Sequence, residues 1–216
     1  MDEKKLKEAI SKLKDSPKKN FKQTVDMIIN FKGLDLKKPE HQVELYLQLP
    51  KFKGKKSRIC GLVGPELADQ AKTVMDGFVL QQDFEKYQTD KKKTKKLASG
   101  YEFFVAQATI MPKVASAFGR VLGPKGKMPN PKAGCVVPPN ANLKTVMDKL
   151  QNTVKVSGKK APLVQTMVGN ADSSPEDLTD NIKFVYSNLL HALPQGEHNI
   201  KSIYIKTTMG APQRVI

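Results

Sequence analysis

Cysteine is scarce. Cys60 and Cys135 are the only two in 216 residues, and they lie far apart. That excludes a disulfide framework and a CxxC metal or redox pair, and it fits a reducing, intracellular compartment. Long apolar runs are missing too. No stretch approaches the roughly 18 apolar residues of a membrane span, and the opening "MDEKKLKEAISKLKD" is a charged amphipathic helix without the apolar core of a signal peptide. A cytosolic protein with no membrane partner is expected.

Catalytic signatures are absent as well. A P-loop requires G-x-x-x-x-G-K-[ST], so that backbone amides wrap phosphates while a lysine and a hydroxyl reach the terminal phosphate and its metal. "GKK" at 54–56, "GKM" at 126–128 and "GKK" at 158–160 all lack the hydroxyl and the upstream glycine. "CGLVGPE" turns from strand to helix with its glycines at the wrong spacing for a dinucleotide fingerprint. His41, His191 and His198 have no metal-ligand spacing, and His191 falls within an apolar helical pattern. No serine sits in a G-x-S-x-G setting. The expectation is therefore no catalytic residue, no metal and no cofactor.

What the chain does have is positive charge. Its 37 Lys and Arg against 21 Asp and Glu give +16, which attracts polyanions and points first to nucleic acid. The charge is shared: residues 55–153 carry +9 and the remainder +7. Charge alone supplies only the salt-dependent, sequence-blind part of affinity, so a specific contact must come from small, polar or flat side chains.

Hydrophobic periodicity divides the chain. Leu6, Ile10 and Leu13 recur at helical spacing. "FKQTVDMIINFK" and "HQVELYLQLP" alternate apolar and polar residues, which predicts two strands with one buried face each, antiparallel and adjacent. The alternation stops at "LPKFKGKKSR" (49–58), where a domain boundary is expected. "RICGLVG", "GFVLQ" and "YEFFVAQ" are short apolar runs separated by helical stretches, one of them a single helix from Asp83 to Gly100. This is the pattern of a parallel sheet covered on both faces. Alternating strands return in "TVKVS" and "PLVQTMVG", then a helix opened by a serine cap and Pro175, then a last strand "IKSIYIKTT" running into "MGAP". The expected architecture is an α+β outer domain, two-layered and built from both termini (1–54 and 154–216), interrupted by an inserted Rossmann-like, three-layer α/β domain (55–153).

Two stretches are candidates for contact. "FGRVLGPKGKMPNPKAG" (118–134) has four basic residues, Arg120, Lys125, Lys127 and Lys132, and no acid. Its prolines fix φ while its glycines free it, so an ordered loop is expected, either as a cover on its own domain or as a backbone-phosphate contact. "KTTMGAP" (206–212) places two hydroxyls, a polarizable methionine and a glycine at a strand end.

"GRVLGPKGKMPNPKAG" together with "TTMGAP" resembles the L-one family of large-subunit ribosomal proteins, found at the ribosome's mobile lateral stalk. The order of the remaining segments follows the family over essentially the whole chain, and "FKGLDLKKPEH" is similar to the archaeal members. The resemblance implies binding to large-subunit ribosomal RNA, movement with exit-site transfer RNA, repression of the protein's own messenger RNA, and a monomer off the ribosome. Carried over by motif position, the RNA-binding residues are Phe21, Thr24, Asp26, Thr208, Met209 and Gly210. Ser202, Tyr204 and Lys206 join them because they alternate along the strand that ends in Thr208. Ala211 departs from the proline that the family usually carries after "TMG".

Overall fold

In the computed structural model, residues 3–14, 20–159 and 161–216 are described. The strands are β1 (Thr24–Phe31), β2 (Glu44–Gln48), β3 (Ile59–Val63), β4 (Gly77–Leu80), β5 (Phe103–Gln107), β6 (Val136–Val137), β7 (Thr153–Ser157), β8 (Leu163–Asn170), β9 (Ile200–Thr207) and β10 (Gln213–Arg214). The helices are α1 (Glu3–Lys14), α2 (Ala68–Val74), α3 (Phe84–Thr89), α4 (Lys91–Gly100), α5 (Met111–Leu122), α6 (Leu143–Asn152) and α7 (Pro175–Ala192). Residue contacts divide the chain into two compact units, Met1–Lys56 with Asn152–Ile216, and Ser57–Gln151.

The first unit is a four-stranded sheet of order β10-β9-β1-β8, with every pairing antiparallel. Alternation along β1 sends Val25, Met27, Ile29 and Phe31 to one face, where they meet Val164 and Val168 of β8 and Ile203 and Ile205 of β9. Leu6, Ile10 and Leu13 of α1 and Leu178, Ile182, Val185 and Leu189 of α7 close the same core. Each of these large apolar side chains contributes about 1.5–3 kcal/mol on burial. Helix α7 starts at Ser174, whose hydroxyl accepts from the Asp177 amide, with Pro175 in the first turn and Glu176 and Asp177 at the positive end of the helix dipole.

Strands β1 and β2 are not neighbours, contrary to the expectation from their matching alternation. Both edges of β1 are taken, by β8 and β9, so β2 pairs instead with β7 over Glu44–Gln48 against Thr153–Ser157. Glu44 fixes that ribbon through ion pairs with Lys155 (3.3 Å) and Lys159 (2.6 Å). Alternation reports which face a strand buries and carries no information about which strand lies beside it.

The second unit is a parallel sheet of order β4-β3-β5-β6. Its central strand, β3, is buried along its whole length. Phe84 of α3, Ala98 of α4 and Val114, Phe118 and Leu122 of α5 pack in one core cluster, while Ala71 of α2 and Leu143, Met147 and Leu150 of α6 pack in another. Helices thus cover both faces, in three layers. The single helix expected from Asp83 to Gly100 is two. Asp90 adopts an extended conformation and caps α4 by accepting from the Lys92 and Lys93 amides, whereas Asp83 makes no cap bond and pairs with Lys86. An aspartate that caps lysine-flanked amides competes with helix continuation, and here it breaks the run.

Candidate nucleic-acid interface

The parallel sheet comes first, because an α/β sheet of this order is where a nucleotide would be sought. Ligands of such sheets sit beyond the carboxyl ends of the strands, at the point where strand order reverses, here between β3 and β5. That point is filled from within. Gln107, at the end of β5, is buried, and its side-chain oxygen accepts from the Gly64 amide at 3.1 Å. Its amide nitrogen donates to Glu66. The backbone donor a phosphate would require is occupied, and the adjacent carboxylate repels anions.

The basic loop after α5 is tied to its own unit. Gly126 and Lys127 close the end of α5 by donating to the carbonyls of Gly123 and Leu122. The Lys127 ammonium reaches the end of α4, donating to the Ala98 carbonyl at 2.8 Å and the Tyr101 carbonyl at 2.6 Å. Burial pushes its pKa down, and Lys125 nearby pushes the same way. Lys125 itself donates to Ser99 at 2.9 Å. Asn130 caps the short turn that follows by accepting from the Lys132 amide, and Gly134 takes a left-handed φ of 71°. Arg120 and Lys132 are exposed, and Arg120 lines a recess of about 320 Å³ with Tyr87, Lys91 and Ser116. Of the four cations, Lys127 is a helix-capping side chain, which sequence alone could not distinguish from a surface lysine.

The remaining candidates gather on the first unit. Antiparallel pairing of β1 with β9 puts Asp26 opposite Lys206, Ile28 opposite Tyr204 and Asn30 opposite Ser202. These residues occupy the face opposite the core. Ser202 is buried, with its hydroxyl accepting from the Asn30 amide at 2.9 Å, so it stiffens the sheet more than it offers a contact. Asp26 is half-buried. Desolvation raises its pKa, and the Lys206 charge partly offsets the rise.

Beyond the strands, the chain start and chain end lock into one corner. The Thr208 amide donates to the Thr24 carbonyl, and the Thr24 amide donates back to the Thr208 hydroxyl, both at 3.1 Å. The two hydroxyls lie 3.2 Å apart. Either hydroxyl can donate to the other, and the Thr208 hydroxyl also reaches the Thr24 carbonyl, donating at 3.4 Å. Gln23, which the motif comparison did not single out, fixes the next residue: its buried side chain accepts from the Met209 amide at 3.0 Å. Its polar side chain beside an apolar alternation was the available signal. Gly210 has no room for a side chain, since a Cβ there would lie 2.2 Å from the buried Thr207 hydroxyl. Phe21 and Met209 flank the threonine pair in the sequence and are 52% and 67% exposed. Arg214 of β10, opposite Tyr204, adds a cation to the same sheet face and was also missed; the strand is only two residues long, and "QRVI" carries no alternation that could have signalled it.

Among the described residues, no group of three His, Cys, Asp or Glu is arranged to hold a metal, and no helix is long and apolar enough to cross a membrane. The geometry offers a contact surface: a rigid sheet corner presenting hydroxyls and exposed apolar side chains on a chain of net charge +16. Residues 12–211 match the model of the ribosomal protein L1p/L10e family, and the chain belongs to that family. The family is structural and non-enzymatic. Proteins named large ribosomal subunit protein uL1 are similar to it throughout. That of Methanothermobacter thermautotrophicus is 42% identical over 213 residues, 98% of each chain. That of Methanobrevibacter smithii is 42% identical over 211 residues, 97% of each chain. That of Thermococcus kodakarensis is 38% identical over 216 residues, 99% of this chain and 98% of the relative.

Proposed function

We propose that this protein is a structural component of the large ribosomal subunit in the cytoplasm and binds a folded region of large-subunit ribosomal RNA through the β1/β9 corner. The observation that carries the reading is the Thr24–Thr208 hydroxyl pair, locked by backbone hydrogen bonds and flanked by exposed Phe21 and Met209. RNA suits such a surface, because a hydroxyl pair meets 2′-OH groups and an exposed aromatic or thioether lies against sugar or base. The net charge of +16 supplies attraction over distance. Full-length similarity to proteins named as large-subunit components supports the assembly. On this reading the unit formed by both chain ends is the RNA-binding domain, and the parallel unit is an inserted domain with a secondary backbone contact through Arg120, Lys125 and Lys132.

The same reading extends to contact with exit-site transfer RNA and to repression of the protein's own messenger RNA, both implied by the family resemblance. A mobility-shift comparison of stalk ribosomal RNA, the protein's own leader messenger RNA and a scrambled RNA of equal length tests it. Stalk and leader RNA should bind well above the scrambled control, and Thr208→Val should weaken them about tenfold while leaving scrambled RNA unchanged. Equal weakening of all three would instead favour a basic protein that binds any nucleic acid.

A further inference from the structure

Three large apolar side chains are exposed among the described residues: Phe21, Met209 and Phe52. The first two belong to the corner. Phe52, 53% exposed, lies in the lysine-rich segment that follows β2, and nothing above gives it a role. Strand pairing and the packing of Gly54, two residues on, place its segment at the same end of the same sheet. Thr24 pairs with Asn170, so the start of β1, the end of β8 and the end of β9 lie side by side. The Gln23 carbonyl accepts from the Ala171 amide just past β8. Gly54 then packs on the end of β8, where a Cβ would lie 2.3 Å from the Gly169 carbonyl oxygen; its φ is +100°.

The backbone around Phe52 is held firmly. Lys51 exchanges hydrogen bonds with buried Asn181, its amide donating at 3.1 Å and its carbonyl accepting at 3.4 Å, and its ammonium pairs with Asp177 at 3.3 Å. The Lys53 side chain turns inward, buried, and donates to the Thr153 carbonyl at 3.0 Å. Between these anchors, Phe52 is left facing solvent, and exposed Lys55 and Lys56 follow. A rigidly mounted, exposed aromatic next to cations suits a strand of unpaired nucleotides, in which bases stack and phosphates seek ammonium groups. From β9 across β1 to β8 is two strand spacings, about 10 Å. That is on the order of three stacked nucleotide steps, a length one RNA segment spans.

We propose that Phe52 is a third apolar anchor of the RNA interface, a platform on which an unpaired base stacks while Lys55 and Lys56 meet the adjoining phosphates. This rests on the reading of the β1/β9 corner as the RNA site, and the test separates the two. The affinity of the full chain for a stalk ribosomal RNA fragment is measured by fluorescence anisotropy for the parent, Phe52→Ala, Phe52→Tyr, Phe52→Leu and Thr208→Val, with thermal melts confirming that each folds. Phe52→Ala should weaken binding about tenfold, Phe52→Leu nearly as much, and Phe52→Tyr by less than about twofold, because stacking requires a ring face. Replacing Lys55 and Lys56 with Gln should lower the slope of log affinity against log salt by about one to two. If Phe52→Ala binds within twofold of the parent while Thr208→Val is weakened, the platform is refuted and the corner stands. If Thr208→Val is unchanged and Phe52→Ala is weakened, the corner reading fails and the platform survives as the principal site. If neither is weakened, both fail.

Discussion

The corner at the end of β1 and β9 and the loop after α5 differ in what they do with their polar groups. The loop has the more eye-catching sequence, with four cations in seventeen residues. Yet it spends its best-placed cation on the carbonyls that end α4, and Lys125 reaches back to Ser99. The corner has less charge and uses backbone and buried Gln23 to hold two threonines and a methionine outward. A cation satisfied by its own fold contributes to stability, whereas a side chain whose backbone is satisfied and whose tip is free is available to a partner.

Lys127→Met gives the sharpest separation of the two regions. It removes two charge-assisted hydrogen bonds from the end of α4 and should cost about 2–3 kcal/mol of stability, read by denaturant unfolding. RNA affinity should stay within twofold. A loss of affinity without a loss of stability would reverse the comparison and make Lys127 itself a contact residue.

Gly210→Ala tests the other side. Its methyl group would press on the Thr207 hydroxyl, displace the turn that carries Met209, and weaken stalk RNA binding by about tenfold, roughly 1.4 kcal/mol. Thermal stability should change less than in Lys127→Met. Unchanged affinity would mean that the turn is not part of the contact.

The smallest effect concerns Asp26. Burial raises its folded pKa above the unfolded value, so the ionised carboxylate is a liability at neutral pH that protonation relieves as pH falls through the folded pKa. Asp26→Asn should therefore melt slightly higher than the parent at pH 7. The gap should narrow as pH falls through the folded pKa and close below about pH 3, where the carboxyl is protonated in both the folded and the unfolded chain. A gap that widens on acidification would mean that the carboxylate is stabilised in the folded state.

Much of the fold is legible in the sequence. The period-two runs of β1, β8 and β9 and the helical stripe of α7 each report a local burial pattern, and local pattern is what adjacent residues encode. The capping of α4 by Asp90 was less legible, because Asp83 has the same chemistry seven positions earlier and only the chain's course selects between them. The pairing of β2 with β7 was not legible, since partner choice depends on residues about a hundred positions apart. For the site, motif resemblance reached Thr24, Thr208 and Met209, but not Gln23, Arg214 or Phe52. Those three matter through hydrogen bonds, strand pairing and exposure that exist only once distant segments meet.

By itself, the sequence determined the basic charge, the alternation that gives each sheet its buried face, and the motifs that place the chain in its family. The tertiary structure decided which cations are free and which are consumed, because a lysine's role depends on what lies within reach of its ammonium. It also decided that Phe21, Met209 and Phe52 share one end of one sheet. They are separated by as many as 188 positions along the chain, and only antiparallel pairing of β1 with β8 and β9 brings their ends together.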